Sequence, residues 1–305
     1  MKYGVTSDYV LGMDVVLADG RLVTLGGRRI KDVAGLPLLK LFVGSEGTLG
    51  IVTSVTLRLL PPQSPPVTLA ATFGNVEDAA RAVVAIGARL RPALLELMDH
   101  TAINAVEDLR PHGLDRSAGA LLIAQSDAAG PARGEELAIL EACCVEAGAT
   151  EVSASDDPED SEAFLAARRS AAPAVEQRGA VLREDAGVPV PQLPAFLGRI
   201  AAIAERYDVE VSVVAHAGDG NVHPNVIFDP TRPGAEEAAH EAFFAIARVA
   251  IELGGTITGE HGVGRTKLPL LAEQLGPDVI ELNQRIKAAL DPHGLLNPGA
   301  LIPPG

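Results

Sequence analysis

Residues 61 to 66 read Pro61-Pro62-Gln63-Ser64-Pro65-Pro66, and no helix or sheet ladder passes through such a run. Proline lacks the backbone N–H and fixes φ, so a regular element on either side must end there. The sequence pattern changes across it. Upstream, residues 9–17 are rich in β-formers, Asp19-Gly20 supplies a turn and residues 21–25 return, which is a hairpin signal. Residues 43–50 are glycine-rich, and 51–60 alternate like a half-buried strand. Downstream, strand signals at 67–73, 94–98, 118–124 and 150–153 alternate with helix signals at 76–88, 102–109 and 131–147. Strand–helix–strand twice over predicts an α+β sandwich of ferredoxin-like type. Further helices are expected at 162–178, 191–207, 235–253 and 268–290. The boundary is therefore placed after Pro62, with one domain over 1–62, a second over 63–290 and a closing segment over 291–305.

Two domains of that size each have room for a core in a chain of 305 residues. Aromatics make up 3% with no Trp, so those cores must be built from Ala, Val, Leu and Ile. A formal net charge of −15 leaves no basic tract to neutralise phosphates, which argues against a nucleic-acid partner. The only cysteines, Cys143 and Cys144, are adjacent on an expected helix; they read as buried packing and exclude a disulfide framework. No apolar run reaches the roughly 18 residues of a membrane span, and the start lacks a secretory pattern. A cytoplasmic protein is expected.

Chemistry concentrates in two later segments, His216-Ala217-Gly218-Asp219-Gly220-Asn221-Val222-His223 and Gly259-Glu260-His261-Gly262-Val263-Gly264. Strand signals at 209–215 and 222–228 flank Gly218-Asp219-Gly220, so His216 and His223 sit on the two arms of a tight turn. On a continuous strand an odd spacing would separate them, but a hairpin can turn both to one side. Asn225 then shares the face of His223. Two imidazoles with the Glu260 carboxylate are a common catalytic metal set, leaving His261 to move a proton. The plainer alternatives are that the histidines cap the turn and that the second segment is a glycine-rich structural turn.

The segments HAGDGNVHPN and TGEHGVGRTK, together with GSEGTLGIVTSVTLRLLP upstream and ALDPHGLLNPG near the end, resemble the flavin-linked oxidases of the vanillyl-alcohol-oxidase superfamily. Within it they are most similar to the group of glycolate oxidase flavin subunits, D-lactate dehydrogenases and D-2-hydroxyglutarate dehydrogenases. The resemblance runs from Lys2 to about Ile302. It implies an incomplete FAD-binding domain, of which this chain carries the second part only, followed by a ferredoxin-like cap. It also implies oxidation of a D-2-hydroxy acid to the 2-oxo acid by hydride transfer to flavin. By motif, His216, His223 and Glu260 correspond to ligands of a divalent metal (zinc, manganese or iron) and His261 to the base. Arg168 corresponds to the clamp on the substrate carboxylate, with Arg183 and Asn225 as further substrate contacts. Without the resemblance, Arg168 would read as part of a solvated helix face. Tyr3, Gly4, Gly44, Gly47, Gly50, Ile51, Val52 and Asn297 correspond to segments that lie along FAD, though for the glycines ordinary turns explain the sequence equally well.

The resemblance further implies an N-terminal segment around the FAD pyrophosphate that this sequence does not contain. Weak FAD affinity of the chain alone is therefore expected, with the segment supplied separately or the chain pairing as a homodimer. Expected electron acceptors are an iron–sulfur subunit, an electron-transfer flavoprotein, a quinone or oxygen, and an electron-transfer partner can bring the protein to a membrane surface. Gly35-Leu36-Pro37 and Ala172 depart from the pattern of many relatives, and the second leaves the substrate open. Two competing readings are a flavin-free, non-catalytic remnant or accessory subunit, and a metal-dependent hydrolase using His216, His223, Glu260 and water.

Overall fold

The proline run carries no regular structure, and a division of the chain falls inside it, between Pro62 and Gln63. The computed structural model describes residues 2–303. These form two units: Gly4–Pro62 with the chain from Glu260 onward, and Gln63–Gly259 with Lys2 and Tyr3.

In the first unit a short helix, α1 (Thr6–Tyr9), leads into β1 (Val10–Val16). β1 turns through Asp19-Gly20 into β2 (Leu22–Gly26), and after α2 (Leu38–Phe42) its other side is taken by β3 (Ile51–Leu57). Both pairings are antiparallel. Val10, Met13 and Val15 bury against Phe42 and Leu49. The strand expected at 51–60 ends at Leu57, and it is not half-buried: Ile51, Val52, Val55 and Leu57 are all exposed. Alternation there marks two faces, but among the described residues β3 pairs on one side only and neither face is covered.

The second unit opens with β4 (Val67–Phe73), α3 (Val76–Arg89), β5 (Leu94–Asp99), α4 (His100–Leu109), β6 (Ala120–Ser126), α5 (Pro131–Glu146) and β7 (Ala149–Ser155). The spatial order β7-β4-β6-β5, antiparallel throughout, places β6 between β4 and β5. That is the split βαβ arrangement of a ferredoxin-like sandwich. Local chemistry agrees with it: Asn75 caps α3 by accepting from the Asp78 amide at 2.8 Å, and Asp99 caps α4 through the Ala102 amide at 2.8 Å.

A single helix was expected at 162–178, but α6 (Pro158–Arg169) and α7 (Ala171–Glu176) are separate. Pro173 has no N–H and its ring crowds the carbonyl four residues back, so α6 cannot continue through it. β8 (Ala180–Arg183), β9 (Ala186–Gly187), α8 (Leu193–Tyr207), β10 (Glu210–His216), β11 (Asn221–Phe228) and α9 (Ala235–Glu252) follow. Among the described residues the sheet becomes eight-stranded, continuing β5-β10-β11-β8 with β9 also on β11. One face packs Leu69, Leu97 and Val226 against α3, α5, α8 and α9, with Phe196, Ile200 and Ile246 as large contributors. The other packs Met98, Leu121, Ile123 and Val214 under α4, α6 and α7. Alanines line these helices (Ala79, Ala80 and Ala82 on α3, Ala239, Ala242 and Ala250 on α9), and their small side chains let helices lie close to the sheet.

The chain returns to the first unit at Glu260, where α10 (Leu268–Leu275) and α11 (Pro277–Leu290) follow. Ile286 and Leu290 of α11 pack on the cluster around Phe42. Residues 268–290 were expected to form one helix. Gly276 breaks it, with φ +76° and ψ 167°, and Pro277 restarts it at a position that needs no N–H.

Candidate functional site

The β10–β11 hairpin sets the site. Ala217–Asp219 makes one 3₁₀ turn and Gly220 closes it at φ +72°; a Cβ there would stand 2.1 Å from the Val188 carbonyl oxygen, so only glycine fits. The register pairs His216 with Asn221 and Val214 with His223. Directly paired residues share a face, so the reversal brings both histidines to one side. Their ring centroids are 5.1 Å apart and nearly perpendicular, at 87°. Asn225 lies two residues beyond His223 on the same face, buried, and its Nδ2 donates to the His223 carbonyl at 3.1 Å.

Each histidine has a carboxylate at Nδ1. Glu96, in the middle of β5 and only 7% exposed, places Oε1 2.6 Å from Nδ1 of His216. Its Oε2 accepts from Nε of Arg168 at 2.9 Å. Arg168 sits in the last turn of α6 with 17% of its side chain exposed, not on a solvated helix face. Asp185 is fully buried, with Oδ1 3.5 Å from Nδ1 of His223. Its Oδ2 accepts from Thr258 Oγ1 at 2.7 Å and from the Gly259 amide at 2.8 Å. A carboxylate only accepts, so the Nδ1 of His216 that it meets carries the proton and the lone pair lies on Nε2. Arg183 pairs in register with Asn225 and forms an ion pair with Glu176 of α7.

Glu96 and Asp185 are the residues that sequence reasoning missed. A signal for the first existed: one acid within the apolar strand Leu94-Leu95-Glu96-Leu97-Met98 has to be paired. Asp185 follows Arg183-Glu184, and both acids are fully buried, which the charged run does not announce.

Glu260 follows Gly259 in the chain and opens the returning segment of the first unit, where Glu260 and His261 are exposed. The next residues are held by Glu46, whose carboxylate accepts from the Val263 amide at 2.8 Å and the Gly264 amide at 2.9 Å. Asn297 donates from Nδ2 to the Glu46 carbonyl at 2.6 Å. The 44–50 loop, the 262–264 turn and Asn297 are thus joined through one residue. Gly44 and Gly47 have positive φ and open space where a Cβ would stand, whereas a Cβ on Gly50 would meet Val15 Cγ1 at 2.4 Å. Gly50 is therefore required by packing. Ile51 and Val52 begin β3, and Gly4 precedes α1. Tyr3 belongs to the other unit, donating its hydroxyl to Asp127, which Lys2 also meets.

Asp99 and Asp291 carry shifted carboxyls. Burial pushes Asp99 up to about 7 despite the Ala102 and Val213 amides. For Asp291 burial acts upward too, but Lys287 and the Leu296 and Leu295 amides outweigh it and hold it at about 2. Among the described residues no helix is long and apolar enough to cross a membrane.

The second unit is thus an antiparallel sheet with helices on both faces and an ionisable cluster on β5, β10 and β11. In fold the chain is similar to 4-ethylphenol oxidase from Gulosibacter chungangensis, with a TM-score of 0.74 at 17% identity over 99% of this chain and 67% of that one. The family described as FAD linked oxidases, C-terminal domain, matches residues 63–301, and the chain belongs to it. It is 41% identical to the glycolate oxidase subunit GlcD of Bacillus subtilis (strain 168), over 99% of this chain and 64% of that protein. It is 35% identical to a D-lactate dehydrogenase of Archaeoglobus fulgidus, over 99% and 66% respectively. The chain thus spans somewhat under two thirds of the length of these relatives.

Proposed function

We propose that this chain carries the cap and part of the flavin domain of an FAD-dependent dehydrogenase for D-2-hydroxy acids of the glycolate, D-lactate or D-2-hydroxyglutarate type. The observation that carries this reading is the His216–His223 pair on one sheet face, with carboxylates at both Nδ1 atoms and Arg168 beside it.

The donor set fits a divalent metal. Two imidazoles offer Nε2, and Asn221, on the same face, has a buried Oδ1 without a hydrogen-bond partner among the described residues, which suits a hydrated cation. By motif, His216, His223 and Glu260 would hold the metal. Zinc, manganese and iron all suit this set. A metal held there would lower the pKa of the substrate hydroxyl. The open space at Gly44 and Gly47 fits close approach of a planar cofactor, and flavin when bound accepts the hydride. Arg168 fixes the substrate carboxylate through its Nη groups, which leaves one hydroxyl facing the base. His261 takes the hydroxyl proton. Arg183 and Asn225 contact the rest of the acid. Tyr3, Gly4, Ile51, Val52 and Asn297 line the flavin. An iron–sulfur subunit, an electron-transfer flavoprotein or a quinone receives the electrons.

The test is an absorbance spectrum after incubation with FAD and gel filtration, followed by anaerobic addition of each acid. Retained flavin bleached by one of the three supports the reading, and His261→Ala then slows bleaching by about 10²–10⁴. Retained flavin that none of them bleaches overturns the substrate class. If the chain keeps no flavin, as its weak expected affinity allows, the same assay on the chain fused to the flavin-domain segment of a relative decides: bleaching there supports the reading, and none there supports the accessory-subunit alternative.

A further inference from the structure

We infer that Glu96 is a positioning residue that couples the metal side of the site to the carboxylate side, and this rests on the reading just given. One carboxylate serves two functional groups: Oε1 meets His216 Nδ1 at 2.6 Å and Oε2 meets Arg168 Nε at 2.9 Å. Both contacts lie within the Gln63–Gly259 unit. Glu96 sits on β5 between the apolar neighbours Leu95 and Leu97, each almost fully buried. Its charge is therefore kept in a low-dielectric sheet by the two donors it holds.

Two consequences follow from the atoms. Because a carboxylate cannot donate, His216 is fixed with its proton on Nδ1 and its lone pair on Nε2, the form a metal requires. Because Glu96 takes Nε of Arg168, the planar fork keeps both Nη groups for a second, bidentate acceptor. The guanidinium plane is set by the same residue that sets the imidazole plane. A substrate that is held at one end by Arg168 and at the other by the metal thus has both anchors referred to one side chain. Glutamine cannot replace it. An amide offers one oxygen, so either His216 or Arg168 would face an NH₂ group.

The experiment is histidine-¹⁵N NMR of the metal-free chain at pH 8, with His216 assigned through His216→Gln, followed by titration with Zn²⁺. We expect His216 as the Nδ1–H tautomer in the parent, a loss of that preference in Glu96→Gln, and a 10–100-fold weaker Zn²⁺ dissociation constant in the variant. An Nε2–H tautomer for His216 in the parent overturns the inference without any variant, so a failure of Glu96→Gln to fold does not protect it. A folded Glu96→Gln chain with unchanged tautomer and Zn²⁺ affinity also overturns it. If the parent takes up no Zn²⁺ while Glu96→Gln shifts the tautomer, the metal reading falls and the orienting role of Glu96 stands.

Discussion

The two units bury their apolar residues very differently. In the Gln63–Gly259 unit both sheet faces are covered, and Phe73, Phe196, Leu97 and Ile123 are fully enclosed. In the other, one face of a three-stranded sheet holds a small cluster around Phe42, while Ile30, Val33, Leu36, Ile51, Val55, Leu57 and Leu59 stand in solvent. A layered fold gains stability in proportion to the apolar area that each layer removes from water. The Gln63–Gly259 unit therefore carries most of the enclosed core, and the other unit leaves more of its apolar side chains exposed.

The sharpest way to break that contrast is Phe196→Ala. It should cost about 3–5 kcal/mol by urea unfolding, because a large cavity opens where α8 meets the sheet. Phe42→Ala should leave that transition in place; if it lowers it equally, the units do not unfold separately. Next comes a pH contrast. Asp99 in the folded cap has its carboxyl near 7, above the unfolded value, so it binds a proton that the unfolded chain does not. Its contribution to stability is fully present below about pH 4 and is lost as pH rises to 7. Asp99→Asn keeps the helix cap and should recover on the order of 1–3 kcal/mol at pH 8 relative to pH 5. Asp291, in the other unit, has the opposite sign. Its folded value of about 2 lies below the unfolded one, so its contribution is present above about pH 4 and disappears as pH falls through 2. Asp291→Asn should free the turn at residues 294–296 and cost about 1–2 kcal/mol at pH 7, with faster amide exchange at Leu295 and Leu296. The smallest effect is expected at Arg232→Ala, which removes an exposed pair with Asp208 and should change stability by at most about 0.5 kcal/mol.

Much of the cap was legible because several local signals agreed. Residues 67–155 alternate strand and helix patterns, which is the order of a ferredoxin-like sandwich, and the structure adds side-chain caps at Asn75 and Asp99. The breaks in the later helices were not read. Apolar spacing carries on across Ser170 and across Gly276-Pro277, and periodicity alone does not register the missing N–H or the positive φ. Exposure of β3 was illegible for another reason, since alternation shows that a strand has two faces but not what covers either. In the site, the histidine pair could be read because turn residues and flanking strands fix a hairpin. Glu96 and Asp185 could not be placed, because their partners lie 120 and 38 positions away in the chain and only the sheet order brings them near.

A core made from alanine and branched aliphatics also determines how this protein looks in light. With no tryptophan and three tyrosines, it has almost no intrinsic emission and weak near-ultraviolet absorbance. There is no indole to compete for excitation or to pass energy to a bound ring. A flavin taken up by this chain would be observed against a nearly dark background, so even fractional occupancy should be countable by fluorescence.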